Sequence, residues 1–173
     1  MSVLEQGQIQ IHTENIFPII KKAVYSGHEV FLRELVSNGT DAISKRRMAA
    51  MAGDCSEGDE GLINITVDRE AKTVKISDNG IGMTAEEVKK YINQVAFSSA
   101  EDFLEKYKQE SDAIIGHFGL GFYSSFMVAK EVELITCSAR PDSEAVRWVC
   151  DGSPAFKLES HQRSEPGTDV ILH

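Results

Sequence analysis

The spacing of apolar residues changes from a helical period to a strand period near residue 60, and this change constrains the fold most. From His28 to Met51 apolar residues recur every three or four positions, which predicts one long helix. The glycine-rich acidic stretch 53–61 predicts an exposed loop. Two runs of alternating apolar and polar residues then predict a hairpin: Ile63, Ile65 and Val67, followed by Val74 and Ile76.

The same reasoning places elements on both sides of this hairpin. A short strand at Gln8–His12 and a helix at Thr13–Tyr25 precede it, and Thr84 with Glu87 forms a capping box that predicts a helix beginning near Ala85. The segment Phe122–Lys130 predicts a buried helix. Alternation predicts further strands around Val132–Thr136, Val146–Cys150, Phe156–Leu158 and Val170–Leu172. Strands joined by short turns favour an α+β sandwich, with helices on one face of a mixed, mostly antiparallel sheet.

Composition narrows the possible functions. A chain of 173 residues fits one domain, and 18 Lys plus Arg against 27 Asp plus Glu give a net charge of −9. This charge disfavours nucleic acid as a partner. We see neither a membrane-spanning stretch nor a secretory signal. The three cysteines never form a CxxC pair, which argues against a disulfide framework or a zinc site and favours a cytoplasmic protein.

One border of the long helix carries polar side chains that would project together. Glu34, Asn38 and Asp41 are spaced four and three residues apart, beside an arc of apolar residues. A carboxylate, an amide and a second carboxylate on successive turns would line a partly buried cleft. The spacing alone is also typical of a solvated helix flank, so it leaves both interpretations open.

Two glycine-rich turns would allow a ligand close to the backbone. Asp78–Met83 reads DNGIGM after a predicted strand, and Gly116–Gly121 reads GHFGLG before a predicted helix. A strand-end aspartate accepts a hydrogen bond from an exocyclic amine. Each motif alone is also typical of an ordinary turn, and no P-loop sequence occurs in the chain.

Four motifs occur in order along the chain: E-x-x-x-N, D-x-G-x-G, G-x-x-G-x-G and a late Gly167-Thr168. Together they resemble the motifs of the GHKL ATPases. This superfamily includes gyrase B subunits, MutL-type proteins, histidine kinases and the 90-kilodalton heat-shock chaperones. The amino-acid sequence is similar to the bacterial HtpG type of these chaperones in three segments: Phe31–Ala42, Asp78–Met83 and Ile115–Phe126. The resemblance extends over nearly the whole chain.

The resemblance implies a role for each matching residue. Glu34 would be the general base, with Arg33 beside it; Asn38 would bind Mg²⁺; and Asp78 would accept the adenine amine. The remaining positions would line the nucleotide site: Asp41, Gly82, Met83 and Thr168 around the base, and Gly119, Gly121 and Phe122 on the phosphate side.

The resemblance also implies a fold and a biological setting. The fold would be the two-layer Bergerat sandwich holding ATP or ADP with Mg²⁺, and residues 1–173 would form the N-terminal nucleotide-binding domain of a longer chaperone. The isolated domain would hydrolyse ATP slowly. The full-length protein would be a cytoplasmic stress-response homodimer that acts on unfolded client proteins, without a nucleic-acid or membrane partner.

Two alternatives and three departures accompany this interpretation. A DNA-linked module of the gyrase B or MutL type, or a nucleotide-sensing clamp with little turnover, would carry similar motifs.

The chain departs from the family pattern at three places. Residues 96–100 read AFSSA where the family commonly has a lysine, Gly39-Thr40 replaces a usual Ala-Ser, and His117 replaces a common glutamine. The resemblance therefore does not extend to a lid lysine that contacts phosphate.

Overall fold

The computed structural model describes residues 27–94, 105–106 and 120–173. The described helices are α1 (Val30–Met51) and α2 (Ala85–Tyr91), together with a 3₁₀ helix at Gly121–Met127. The strands are β1 (Ile63–Asp68), β2 (Thr73–Asp78), β3 (Val132–Cys137), β4 (Ala145–Cys150), β5 (Lys157–His161) and β6 (Gly167–Leu172). The predicted strand Gln8–His12 and helix Thr13–Tyr25 lie outside the described residues.

The six described strands form one sheet in the order β1-β2-β6-β3-β4-β5. Every pairing between these strands is antiparallel. The strand β6 lies between β2 and β3, so it joins the hairpin predicted from residues 63–76 to the rest of the sheet. The α+β fold expected from the sequence is confirmed.

The core lies between one face of this sheet and the helices. Leu35 of α1, Val88 of α2 and Phe122 of the 3₁₀ helix pack into one cluster with Leu134 and Trp148. Successive strand residues alternate between this core and the far face, where Arg147 bonds Glu133 at 2.5 Å. None of the helices among the described residues combines the length and apolar character that crossing a bilayer requires.

Local sequence signals account for the helix ends. The helix α1 begins at Val30 rather than His28, because residues 27–29 form a turn in which Val30 N bonds to Gly27 O at 3.3 Å. At α2 the capping box is present as predicted: Glu87 N donates to Thr84 Oγ1, and Thr84 N donates to Glu87 Oε2. These two bonds satisfy amides that a helix start leaves open.

The predicted helix over Phe122–Lys130 is a 3₁₀ helix that begins one residue earlier and ends at Met127. Ser124 Oγ donates to Gly121 O at 2.6 Å and occupies a carbonyl three residues back. Local serine bonds of this kind compete with α-helical pairing. The apolar spacing therefore predicted a helix correctly, but it did not distinguish a 3₁₀ helix from an α-helix.

Leu134 should be a major contributor to stability, because its side chain is 1% exposed at the centre of the core. We expect Leu134→Ala to lower the free energy of unfolding by about 2–5 kcal/mol. Ile135→Ala, the next residue on the half-exposed far face, is the matched control and should cost less. Urea denaturation of both variants tests this, and equal losses would contradict the assignment of the two faces.

Candidate functional site

Glu34 and Asn38 lie one turn apart on α1 and face the beginning of the 3₁₀ helix. A Cβ placed on Gly121 would lie 2.8 Å from Glu34 Oε2 and 3.6 Å from Asn38 Oδ1. Glycine at this position therefore allows the backbone to approach both side chains. The Glu34 side chain is 28% exposed and Asn38 is exposed, so both groups remain accessible from solvent.

Arg33 lies beside Glu34, as the sequence implied. Its Nη2 is 3.4 Å from Glu34 Oε1. The Arg33 side chain is 73% exposed, and water screens an ion pair of this kind. The contact orients the Glu34 carboxylate weakly and contributes little to stability.

Asp78 ends β2 directly beneath α1. A Cβ on Gly39 would lie 3.3 Å from Asp78 Cβ, so the glycine next to Asn38 lets this aspartate approach the helix. Gly80 N donates to Asp78 Oδ1 at 2.9 Å. Asp78 is therefore held against α1 at Gly39, the residue next to Asn38.

The surroundings of Asp78 disfavour its charged form. Burial raises the pKa of Asp78 to about 7, although the Gly80 amide, the Arg163 guanidinium and the Thr168 amide act in the opposite direction and Asp169 adds to the rise. Desolvation disfavours an ionised carboxylate, and here it outweighs the hydrogen bonds. Shifts of this kind cluster at functional sites, which makes Asp78 a candidate site residue.

Asp78 stands at one end of a row of paired residues that crosses three neighbouring strands. Thr168 pairs with Asp78 on one side and with Thr136 on the other. Thr136 Oγ1 lies 2.9 Å from Thr168 Oγ1 and accepts a bond from Met83 N, also at 2.9 Å. The predicted base-side residues Asp78, Met83 and Thr168 are thus brought together, and Thr136 joins them.

Sequence reasoning missed Thr136. Its signal was a polar residue at an inward-facing strand position, since Thr136 lies two residues after the buried Leu134, on the same face of β3, and is itself completely buried. A buried hydroxyl needs a partner, which makes such a residue a candidate for a polar network.

Gly82 occupies the most confined point of the turn after β2. Its φ is +62°, and a Cβ there would overlap the carbonyl of Cys137. Both the backbone conformation and the space require glycine. The turn therefore lies directly against the end of β3.

Asp41 is buried with 6% exposure, in contrast to the exposed Asn38 on the same border of α1. One turn further, burial lowers the pKa of Lys45, while Asp41 and Glu87 oppose that change. The sequence analysis omitted Lys45, although an aspartate four residues before a lysine is a recognised helical pair. Asp41 belongs to a charged group that connects α1 to α2.

The predicted phosphate side is only partly described. The Phe122 ring packs in the core, with its centroid 5.6 Å from that of Trp148, so only its backbone is available to a ligand. Gly119, His117 and residues 96–100 lie outside the described residues. Among the described residues, Gly121 carries this side of the site.

The described residues thus form two connected groups. Glu34, Asn38 and Gly121 form one, and Asp78, Thr168 and the Gly82–Met83 turn form the other, with Gly39 at their junction. This arrangement offers a carboxylate and an amide at one end and a hydrogen-bond acceptor in a narrow glycine-lined space at the other.

A model of the histidine kinase-, DNA gyrase B- and HSP90-like ATPases matches residues 25–153. The chain belongs to this family.

Individual members of the family share much of the sequence. Chaperone protein HtpG of Bacteroides thetaiotaomicron is 56% identical over 170 residues, which cover 98% of this chain and 25% of the relative. HtpG of Porphyromonas gingivalis is 54% identical over 171 residues, and HtpG of Streptomyces coelicolor is 40% identical over 176. The chain spans about a quarter of the length of these relatives. The resemblance inferred from the four motifs is confirmed.

The raised pKa of Asp78 predicts a pH-dependent effect of Asp78→Asn on stability. The folded pKa is about 7 against 3.8 for the ordinary group, so the folded wild type binds more protons and loses stability as pH rises from about 4 to about 7. Asparagine has no charge to bury. The free energy of unfolding of the variant, minus that of the wild type, should therefore be larger at pH 8 than at pH 5. Denaturation at both pH values tests this, and a difference independent of pH would contradict it.

Proposed function

We propose that this chain binds ATP and hydrolyses it slowly, as the N-terminal nucleotide-binding domain of an HtpG-type chaperone. The observation that carries the proposal is that Glu34, Asn38 and Gly121 lie together and that Asp78, whose pKa is raised by burial, lies against Gly39, the residue next to Asn38. The family match supports nucleotide binding by this fold.

The base would bind at the Asp78 end. The carboxylate would accept a hydrogen bond from the exocyclic amine of adenine, and the Gly82–Met83 turn would lie along the base. The Thr136–Thr168 pair supports this geometry, because it holds Met83 N and the neighbour of Asp78 in one hydrogen-bonded row. A deeply placed acceptor selects purines that carry a donor, because a missing partner leaves the acceptor unpaired.

The phosphates would extend toward Gly121, and the reaction would take place beside Glu34. The Glu34 carboxylate would accept a proton from water as that water attacks the γ-phosphate, so a phosphorus–oxygen bond forms to water and the bond to ADP breaks. Arg33 would restrict the orientation of the carboxylate. General-base catalysis of this kind contributes about 10²–10⁴ in rate.

The residues present suit a magnesium ion bound together with the nucleotide. Amide and carboxylate oxygens are suitable Mg²⁺ ligands, and a single protein ligand is sufficient when phosphate oxygens supply others. Asn38 is exposed beside Glu34, and we propose that its amide oxygen is this ligand. The bound ion would offset phosphate charge, which the net charge of −9 makes necessary.

The names of the relatives support the chaperone setting. Each of these relatives is called chaperone protein HtpG. We propose that the longer protein is a cytoplasmic homodimer that acts on unfolded client proteins. We therefore favour a chaperone over a DNA-linked ATPase.

Replacing Glu34 should separate binding from hydrolysis. We expect Glu34→Ala to retain ADP affinity within about twofold and to lose roughly 10²–10⁴ in ATP turnover. Phosphate release under single-turnover conditions measures this, and Glu144→Ala is the control because Glu144 is an exposed glutamate in the β3–β4 turn. Equal turnover by wild type and Glu34→Ala would exclude Glu34 as the base.

Replacing Asp78 should instead remove binding. In Asp78→Asn the amide can still accept from Gly80 N, but its second group donates where the adenine amine also donates, so the base is poorly paired. We expect at least about a tenfold loss of ADP affinity, even where the variant is the more stable protein. Calorimetry that shows unchanged ADP affinity would place Asp78 outside the site.

A further inference from the structure

Asn79 follows the base acceptor Asp78, yet its side chain bonds to a different part of the molecule. Asn79 Oδ1 accepts from Leu62 N at 2.8 Å, and Asn79 Nδ2 donates to Glu60 O at 2.9 Å. Asn79 N also donates to Leu62 O at 3.3 Å. Three hydrogen bonds therefore tie this residue to the loop 57–62, which precedes β1.

Arg46 of α1 secures the same residue from the other side. Its Nη1 donates to Asn79 O at 2.8 Å. A Cβ on Gly58 would lie 2.5 Å from Arg46 Cζ, so the backbone of the loop 57–62 lies directly on the guanidinium. Arg46 thus lies between the loop and the turn that carries Asp78.

The loop 57–62 is held by these polar contacts together with the Ile43 side chain of α1, which packs against the backbone at Gly61. A cavity of about 260 Å³ lies beside these contacts, and residues of both the loop and α1 line it, among them Ile43, Arg46, Arg47 and Asn79. Asn79 makes three hydrogen bonds with the loop, and Arg46 adds a fourth bond to the carbonyl of Asn79 itself.

The connection continues from Asn79 to the Asp78 carboxylate. The next residue, Gly80, donates its amide to Asp78 Oδ1 at 2.9 Å, and Ile81 N donates to Ala42 O of α1 at 2.9 Å. A displacement of Asn79 therefore moves the Gly80 amide, which orients the acceptor. The chain between 78 and 81 is too short to absorb such a displacement elsewhere.

We propose that Asn79 and Arg46 are positioning residues for base recognition, and that they couple the exposed loop 57–62 to the orientation of Asp78. This inference rests on the proposed function, because it assumes that Asp78 accepts the adenine amine. Neither side chain needs to touch the nucleotide. Their effect is confined to how well Asp78 distinguishes a base that carries an exocyclic amine from one that does not.

The test compares ADP with inosine diphosphate, which has the same phosphates but a carbonyl in place of the adenine amine. Asn79→Asp keeps the acceptor for Leu62 N but directs a carboxylate at Glu60 O, where the amide had donated. We expect the ADP dissociation constant to rise about three- to tenfold and that of inosine diphosphate to change less than about twofold. Asn64→Asp makes the same chemical change on the exposed neighbouring strand β1 and should leave both constants unchanged.

Arg46→Met provides a second, independent variant, with Arg47→Met as its matched control. Both remove one guanidinium from adjacent positions, but only Arg46 donates to Asn79 O among the bonds of the described residues. Arg46→Met should lower the preference for ADP over inosine diphosphate as Asn79→Asp does, and Arg47→Met should not. The combined variant should lose less than the product of the single effects, because both act on one turn.

The outcomes separate this inference from the proposed function. If the wild type binds neither nucleotide, the proposed function fails and the inference fails with it. If the wild type prefers ADP and both Asn79→Asp and Arg46→Met retain that preference, the inference alone is wrong. Equal weakening of both nucleotides would assign the two residues to general stability and would also overturn the inference.

Discussion

The close approach of the turn 78–83 to its neighbours is the constraint on which the site depends. A Cβ on Gly80 would lie 2.5 Å from the backbone carbon of Ala42, and one on Gly82 would overlap the Cys137 carbonyl. Gly167, with a φ of +130°, lies against the Asp78 carbonyl in the same way. Glycine at these points lets a helix, a turn and two strands meet without side chains between them. Any larger residue there would separate α1 from the sheet at the position where both supply functional groups.

Such close contact has an energetic consequence for Asp78. The carboxyl is withdrawn from water, and its neighbours compensate only in part, which is why its pKa rises to about 7. A stability-optimised fold would place a neutral side chain at the end of β2. The buried acceptor instead remains in position through the Gly80 amide and the Thr168 backbone, while Thr136 holds Thr168 and Met83 in the same row. This part of the fold therefore combines a locally unfavourable charge with a hydrogen-bonded polar surround, and under the proposed function recognition by Asp78 would oppose stability.

Local patterns predicted most of the fold, and non-local contacts explain what they missed. The helix over 30–51, the hairpin and the capping box at Thr84 each follow from residues within a few positions of one another. The placement of Glu34 beside Asn38 also follows from helical spacing. By contrast, Thr136 reaches Thr168 only because β6 lies between β2 and β3. No local sequence pattern predicts this strand order. The DNGIGM motif predicts a turn, but the hydrogen-bond partners of its Asn79 lie in a loop 17 and 19 positions earlier, beyond the reach of a local pattern. The periodicity near 122–130 did not distinguish a 3₁₀ from an α-helix, because both bury residues at similar intervals.

The departure at position 39 follows from the same geometry. A glycine within a helix costs about 1 kcal/mol relative to alanine, so the usual alanine would favour α1. Gly39 is nevertheless buried, and a Cβ there would lie 3.1 Å from Ile63 Cδ1 and 3.3 Å from Asp78 Cβ. These distances are shorter than ordinary carbon contacts, so an added methyl group would require a small shift. Ile63 has a flexible side-chain end at the edge of the sheet, whereas Asp78 is fixed between β1 and β6. The helical cost of Gly39 is therefore offset by a closer fit between the helix that carries Asn38 and the strand that carries Asp78.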